Sequence, residues 1–182
     1  MAINTGKIDN RFFCVVDNLL SEEECRNFIN FFESNEELKL HTIHNRVAHY
    51  DRKIWITDDF ANDIKQRIWR IIPDEIKEQN PHVNDYFRFS KYYKGGEFKI
   101  HRDGLNQCTK TGKRTLYTIN IFLNSDFEGG ETEFYHNKRG ELAFRAQPKA
   151  GRAVIFHRQI YHQGNKILND ANKYLLRTDL MI

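Results

Sequence analysis

Only three cysteines occur in this chain of 182 residues, and no two of them have C-x-x-C spacing. An odd number without that spacing is not typical of a disulfide framework, so a reducing compartment is expected. No apolar run approaches the roughly 18–20 residues of a membrane-spanning helix. The residues that follow Met1 include neither the basic nor the apolar segment of a secretory signal. These absences predict a soluble, cytoplasmic protein without a membrane partner.

The chain also has little net charge, because 28 lysines and arginines nearly balance 25 aspartates and glutamates. A dedicated nucleic-acid-binding protein usually shows a basic stripe, so this balance does not favour a nucleic-acid partner. Internal repeats, low-complexity tracts and linkers are absent as well. Hydrophobic residues make up 40% of the chain and aromatic residues 13%, which is ample material for a packed core. A single domain over residues 1–182 is therefore predicted.

Two helices are predicted in the first part of the chain. Ser21–Glu24 has the signature of a capping box, and apolar residues follow at helical spacing, so an amphipathic helix is expected over 21–34. The second helix begins near Asp58 and carries apolar residues along one face. Pro73 marks its end or a break. The polar segment between these helices, His41 to Trp55, is difficult to assign.

After Pro81 the pattern changes from helical to strand-like. Alternating or β-branched and aromatic runs recur, in the segments Phe87–Tyr92, Phe98–Ile100, Leu116–Leu123, Ala153–Phe156 and Tyr174–Leu176. Turn signals that contain glycine separate these runs. Two helices followed by about seven or eight short strands imply an all-β core of the jelly-roll type with supporting N-terminal α-helices. The helical support is expected over residues 1–84 and the core over 85–182.

The tripeptide His101-Arg102-Asp103 places two side chains of the metal-ligand type two residues apart. On a strand, such residues point to the same face, so both can bind one ion, whereas Arg102 must point away. Two histidines and one carboxylate form the facial triad of non-haem iron(II) proteins, which leaves coordination positions open. His-x-Asp by itself also occurs often as an ordinary polar pair, and a third ligand must come from elsewhere in the sheet.

Further motifs accompany this tripeptide in a fixed order. They are Tyr93 to Gly104, Gly129-Gly130-Glu131-Thr132, Pro148 to Gly164 and Lys173 to Asp179. Together they resemble the catalytic domain of the prolyl 4-hydroxylase-like 2-oxoglutarate/iron(II) dioxygenases over residues 85–182. The resemblance implies a double-stranded β-helix, which is a distorted jelly roll. It also implies Fe(II) as the metal, 2-oxoglutarate and O2 as co-substrates, and ascorbate as an accompanying reductant.

By this resemblance His101 and Asp103 are two of the iron ligands, and either His157 or His162 is the third. His162 is preferred because Tyr161–Gly164 stands where the family has its His-x-Gly motif, after an apolar strand. His157 ends that strand, and a residue beside the site or a partly exposed histidine is its alternative interpretation.

The resemblance also implies a cation for the far carboxylate of 2-oxoglutarate, because a buried carboxylate must be paired. The family has a lysine or arginine some ten residues beyond the distal histidine. Lys173, eleven residues beyond His162, is therefore the preferred counter-ion. Arg177 lies on the same face of the predicted strand and is the alternative.

Hydroxyl groups are expected beside this cation. Tyr93 resembles the family tyrosine that donates its hydroxyl to the co-substrate carboxylate. Phe122 stands where many members of the family have a second tyrosine, so one hydroxyl is missing. Tyr117 and Thr118 are the candidates to replace it.

The reaction that the resemblance implies is hydroxylation of a C–H bond with release of succinate and CO2. A prolyl residue in a peptide or protein is the leading substrate, and a free amino acid or another small molecule is the alternative. A nucleic-acid demethylase is disfavoured, because Lys173–Arg177 does not match an Arg-x-Asn-x-x-x-x-Arg motif. A jelly-roll binding module without catalysis would not need the predicted ligands and cation. Residues 45–52 and 106–114 are expected to form the rim or lid of the site.

Overall fold

The β-strands dominate the computed structural model of the protein, which describes residues 3–182. Within that range the strands are β1 (Ile3–Ile8), β2 (Arg11–Val16), β3 (His41–His44), β4 (His49–Ile56), β5 (His82–Val83), β6 (Tyr86–Tyr92), β7 (Phe98–His101), β8 (Thr115–Phe122), β9 (Thr132–Tyr135), β10 (Leu142–Ala146), β11 (Ala153–His157), β12 (Tyr161–Gly164) and β13 (Lys173–Met181). The helices are α1 (Glu22–Ser34), α2 (Asp58–Ile68) and α3 (Asp74–Lys77). None of these helices is long and apolar enough to cross a lipid bilayer.

The strands pair into two antiparallel sheets. The larger sheet has the order β1-β2-β11-β8-β13-β6-β4-β3, with β5 paired to the end of β13, and the smaller sheet has the order β10-β9-β12-β7. Side chains from both sheets share one apolar cluster, which includes Phe122, Phe134 and Phe156. Two sheets packed over a common apolar interior form a jelly-roll core. The predicted fold class is confirmed.

The helices pack on the other face of the larger sheet. The hydroxyl of Ser21 accepts the N–H of Glu24 at 3.1 Å, and the Glu24 carboxylate accepts the N–H of Ser21 at 2.7 Å. The predicted capping box is therefore present, and α1 follows it directly. Phe32 of α1 and Ile64 of α2 are buried with residues of the larger sheet in a second apolar cluster. A turn separates the end of α2 from Pro73, after which α3 begins.

The first 84 residues contain more strand than the sequence predicts. β2 pairs with β11 and β4 pairs with β6, so this part of the chain completes the larger sheet. The unassigned segment His41–Trp55 includes the hairpin formed by β3 and β4. Its strands carry polar residues on both faces, for example Arg52 and Lys53, which hides the alternation that identifies a strand.

Candidate metal centre

Three side chains of the metal-ligand type converge where β7 faces β12. His101 ends β7, Asp103 follows it, and His162 of β12 lies directly opposite His101 in the register of the two strands. One ligand atom from each residue lies within 4.8 Å of the other two. The Nε2 atoms of the two histidines each lie 3.7 Å from an oxygen of the Asp103 carboxylate. The structure therefore brings together the three residues that the sequence analysis selected.

Backbone carbonyl groups orient both histidines toward this point. The Nδ1 atom of His101 lies 2.7 Å from the carbonyl oxygen of Lys99, and that of His162 lies 3.0 Å from the carbonyl oxygen of Ile160. A proton on Nδ1 satisfies each carbonyl and leaves Nε2 free to bind a metal. Among the described residues, the buried Nε2 atom of His101 has no hydrogen-bond partner. A cation at the convergence point would satisfy it, and this donor set fits Fe(II).

The protonation states also suit a metal. Burial lowers the pKa of His101 to about 4 and lowers the pKa of His162 as well, so both rings are neutral at neutral pH. Burial alone would raise the pKa of Asp103, but the Arg177 guanidinium and the nearby His162 lower it to about 2. Neutral imidazole and ionised carboxylate are the forms that coordinate metals.

Lys173 lies in the same cavity and is 2% exposed. Its Nζ atom donates to the carbonyl oxygen of Gly130 at 2.6 Å and lies over the rings of Tyr92 and Phe122, at 5.2 and 5.3 Å from their centroids. No carboxylate within residues 3–182 is at ion-pair distance from this atom, and burial lowers the pKa of Lys173 to about 7. A buried ammonium without a counter-ion is prepared to bind an anionic ligand.

The turn before β9 makes room for this lysine. Gly130 has a φ of 68°, and a Cβ atom built on it would lie 3.2 Å from Cδ of Lys173 and closer still to the side chains of Ile167 and Phe127. A glycine is therefore required here both by the backbone conformation and by the close approach of its neighbours.

The sequence profile of the 2OG-Fe(II) oxygenase superfamily matches residues 87–178, which is half of the chain. The protein belongs to this superfamily. As a 2OG-Fe(II) oxygenase it uses Fe(II), 2-oxoglutarate and O2. The matched range contains the three converging residues and both candidate cations, Lys173 and Arg177. No curated protein matches the chain in sequence.

Solved structures of this superfamily have similar folds. The viral collagen prolyl hydroxylase of Paramecium Bursaria Chlorella virus-1, in complex with 2-oxoglutarate, aligns with a TM-score of 0.65 and 16% identity over 97% of this chain and 99% of that one. The prolyl-4-hydroxylase of Pseudomonas putida aligns with a TM-score of 0.68 and 13% identity over 96% and 94% of the two chains. The α-ketoglutarate-dependent carbocyclase SnoK of nogalamycin biosynthesis aligns with a TM-score of 0.63 and 12% identity over 93% and 78%. At these identities the similarity concerns the fold alone.

Arg177 of the oxygenase occupies the metal end of the cavity. Its Nη1 atom lies 2.9 Å from Oδ1 of Asp103, and its Nη2 atom lies 3.6 Å from Asp179. Thr118 donates its hydroxyl to the other oxygen of Asp103 at 2.5 Å. Arg177 therefore already has carboxylate partners, whereas Lys173 has none among residues 3–182. The two residues are four apart on β13, so their Cα atoms are separated by about 13 Å along the strand.

The structure does not place Tyr93 in the cavity. Tyr93 is 39% exposed, and its hydroxyl donates to Asp51 at 2.6 Å. Tyr92 is buried instead, and it lies opposite Lys173 in the register of β6 and β13. Adjacent residues of a strand point to opposite faces, so Tyr92, and not the predicted Tyr93, faces the cavity. Since Phe89 packs into the cluster on the helix-covered face, the alternation of β6 already indicates that Tyr92 faces the cavity.

The other predicted residues lie at the edge of the site or outside it. Tyr117 packs edge-on against His157, with the ring centroids 5.6 Å apart, and neither residue belongs to the converging cluster. Arg102 is exposed and lies over the ring of Tyr161, 4.9 Å from its centroid, so it points away as predicted. Thr118 contacts Asp103 and does not replace the missing hydroxyl beside Phe122.

Sequence analysis did not assign Arg88, Ser90 and Asn120 to the cavity wall, and it placed Arg52 only in the predicted rim segment 45–52. Arg88 and Ser90 share the face of Tyr92 on β6, so the alternation of that strand contains the signal that identifies them. Arg52 lies on β4, whose strand character the polar sequence hides. The predicted rim is divided: residues of 45–52 line a groove next to Phe98, whereas residues of 106–114 line a separate groove next to Asp85.

Proposed function

We propose that this oxygenase hydroxylates a C–H bond of its substrate while 2-oxoglutarate is converted to succinate and CO2. The observation that carries the proposal is that His101 and His162, which converge with Asp103, line one cavity with Lys173, a cation without a carboxylate partner among residues 3–182. These three residues would hold Fe(II), which supplies the activation of O2 when it is bound.

The chain itself binds and orients the co-substrate in this proposal. Lys173 pairs with the far carboxylate, and the hydroxyl of Tyr92, whose pKa burial raises, stays protonated and can donate to the same group. The rings of Tyr92 and Phe122 exclude water from the ion pair. Arg177 and Thr118 hold the two oxygens of Asp103, which fixes the direction of the carboxylate toward the histidines.

The proposed substrate is a prolyl residue in a peptide or protein. Similarity to the viral and bacterial prolyl hydroxylases supports this choice, as does the fold shared with a prolyl hydroxylase of Trichoplax adhaerens in complex with a peptide fragment. A free amino acid or another small molecule is the second candidate, because the nogalamycin carbocyclase has a similar fold. The proposed compartment is the cytoplasm, since Cys14, Cys25 and Cys108 are all free.

The test measures succinate formation by the iron-loaded protein with 2-oxoglutarate and labelled O2. Wild-type protein is expected to release succinate slowly without substrate and faster with it, and mass spectrometry then identifies the oxidised species. A labelled hydroxyproline in a peptide supports the prolyl assignment, whereas a labelled small molecule supports the second candidate. Iron-loaded protein that binds 2-oxoglutarate yet forms no succinate under either condition would contradict the oxygenase function.

The distal ligand gives a prediction that separates two histidines. His162→Ala is expected to abolish tight iron binding, because it removes one of the three converging donors, whereas His157→Ala should bind iron like the wild type. Iron affinity measured under anaerobic conditions for both variants decides between them. Loss of iron from His157→Ala alone would transfer the role to His157.

A further inference from the structure

Two cations of the cavity have no carboxylate at ion-pair distance within the described part of the chain. They are Lys173 and Arg52, whereas Arg88 is paired with Asp179 at 3.1 Å and Arg177 with Asp103 at 2.9 Å. The far carboxylate of 2-oxoglutarate accounts for Lys173. Nothing in the proposed function accounts for Arg52.

The guanidinium of Arg52 is partly buried and incompletely hydrogen-bonded. Arg52 lies on β4 opposite Ser90 of β6, and one of its Nη atoms donates to the hydroxyl of Tyr50. Its Nε atom is buried and has no acceptor among residues 3–182. A buried N–H group without an acceptor costs free energy, which a ligand that supplies an acceptor would recover.

Arg52 also stands where the cavity meets the outer surface. Tyr50, Arg52 and Phe98 line both the cavity and the adjoining groove, which we call the entrance groove. The ring of Phe98 stacks on that of His101, with the centroids 3.6 Å apart, so the groove leads to the metal centre. Arg46 adds a second cation to the groove, and no acidic side chain of the described chain lines it.

We infer that the substrate of this oxygenase carries a carboxylate, which Arg52 binds at the junction of the entrance groove and the cavity. The inference rests on the proposed function and specifies the substrate class for the same site. A guanidinium presents two parallel N–H groups along one edge, and these match the two oxygens of a carboxylate. The Nε atom of Arg52, which has no acceptor among residues 3–182, is one of the donors on such an edge. The carboxylate belongs either to an acidic side chain near the reacting residue of a peptide or to a small molecule.

Two sets of matched probes, whose members differ in whether they carry a carboxylate, test whether that group contributes to binding. The first set is the peptide acetyl-Gly-X-Pro-Gly-amide with aspartate, asparagine or lysine at X, and the second is N-acetylproline with its amide. Binding is followed under anaerobic conditions by the change in absorbance of the Fe(II)–2-oxoglutarate protein, and turnover is followed by succinate release. In at least one set the carboxylate probe should bind about 10- to 100-fold more tightly than its amide, as a charge-assisted hydrogen bond typically contributes. If the peptide set shows this difference, the carboxylate belongs to an acidic side chain of a peptide. If the N-acetylproline set shows it, the carboxylate belongs to a small molecule.

Arg52 variants connect this preference to one residue. Arg52→Gln should bind the acid and amide probes equally, Arg52→Lys should keep part of the preference, and Arg52→Glu should favour the lysine peptide. Arg26→Gln, on the exposed face of α1, is the matched control and should behave as wild type. Affinity for 2-oxoglutarate should stay unchanged in all four variants, because Lys173 binds its far carboxylate.

Three results would overturn the inference. They are equal binding of acid and amide probes by wild-type protein, a preference that survives in Arg52→Gln, and a loss of 2-oxoglutarate affinity in Arg52→Gln, which would make Arg52 a co-substrate residue. Each of them is compatible with a wild-type protein that binds 2-oxoglutarate and forms succinate. They are therefore distinguishable from failure of the proposed function, in which wild-type protein forms no succinate.

Discussion

Asp103→Ala is expected to reduce turnover of 2-oxoglutarate to the level of the metal-free protein. Asp103 is the single anionic residue of the converging cluster, and its Oδ atoms lie 3.7 Å from the Nε2 atoms of both histidines. Without it, the site would have two neutral imidazoles and the positive charge of Arg177, which repels a cation. Succinate release and bound iron, measured on the same sample, give the result.

The fold should survive this substitution. β7 and β12 keep their backbone pairing, and Arg177 keeps Asp179 as a carboxylate partner at 3.6 Å. Asp170→Ala is a suitable control, since Asp170 is exposed and pairs with Lys94 at the surface. An Asp103→Ala protein that turns over 2-oxoglutarate at the wild-type rate would show that Asp103 is not a metal ligand.

Lys173→Ala is expected to weaken 2-oxoglutarate binding by about two to three and a half orders of magnitude. The estimate comes from the roughly 3–5 kcal/mol that is lost when one partner of a buried ion pair is removed, at about 1.4 kcal/mol for each factor of ten. Iron affinity should barely change, because Lys173 does not contact the converging residues. The measurement is an anaerobic titration of the iron-bound protein with 2-oxoglutarate, followed by the absorbance of the chelate.

Two further variants sharpen this result. Lys173→Arg should retain part of the affinity, because it keeps the charge although its larger head needs more room. Arg177→Ala should weaken 2-oxoglutarate binding clearly less than Lys173→Ala, because Arg177 is already paired with Asp103. Normal binding by Lys173→Ala together with failure of Arg177→Ala would transfer the counter-ion role to Arg177.

The affinity for 2-oxoglutarate should also decrease as the pH rises above about 7. Burial lowers the pKa of Lys173 to about 7 in the absence of co-substrate, and pairing with a carboxylate raises it again. Above pH 7 the free protein must therefore take up a proton when it binds 2-oxoglutarate, and the apparent dissociation constant should rise with pH by up to tenfold per unit. Titrations of the wild type at several pH values test this. The slope should vanish in Lys173→Arg, and a wild-type affinity independent of pH from 6 to 9 would contradict the expectation.

Sequence reasoning succeeded where a local pattern carries the information. The spacing of His101 and Asp103 predicts that both face one point, which they do at the end of β7, and the capping box at Ser21 identifies the start of α1. Tyr93 was predicted to face the cavity although Tyr92 does, because the choice between neighbouring residues depends on which face of β6 is buried against the helices. The alternation of that strand, with Phe89 on the helix-covered face, favours Tyr92.

Other features depend on contacts between distant parts of the chain. The ion pair of Arg177 and Asp103 joins residues of β13 and the end of β7, and nothing in either local sequence predicts that they meet. Arg52 was placed in the rim segment 45–52 and not in the cavity wall for a related reason, since β3 and β4 are polar on both faces and become strands through their pairing with each other and with β6. Tertiary pairing decides such strands more than their own composition does.

The β3–β4 hairpin has a consequence for how this protein could diversify. It supplies Arg52 and much of the entrance groove, yet all three converging residues and Lys173 come from the chain after residue 100. On the inference that Arg52 binds the substrate, mutations in the hairpin are expected to change which molecules bind while the converging residues and Lys173 stay intact. Because β3 is an edge strand with one neighbour, the hairpin can also change in length or be exchanged between homologues without breaking the order of the remaining strands. The proposed substrate-binding arginine and the three converging residues therefore lie on separate stretches of the chain.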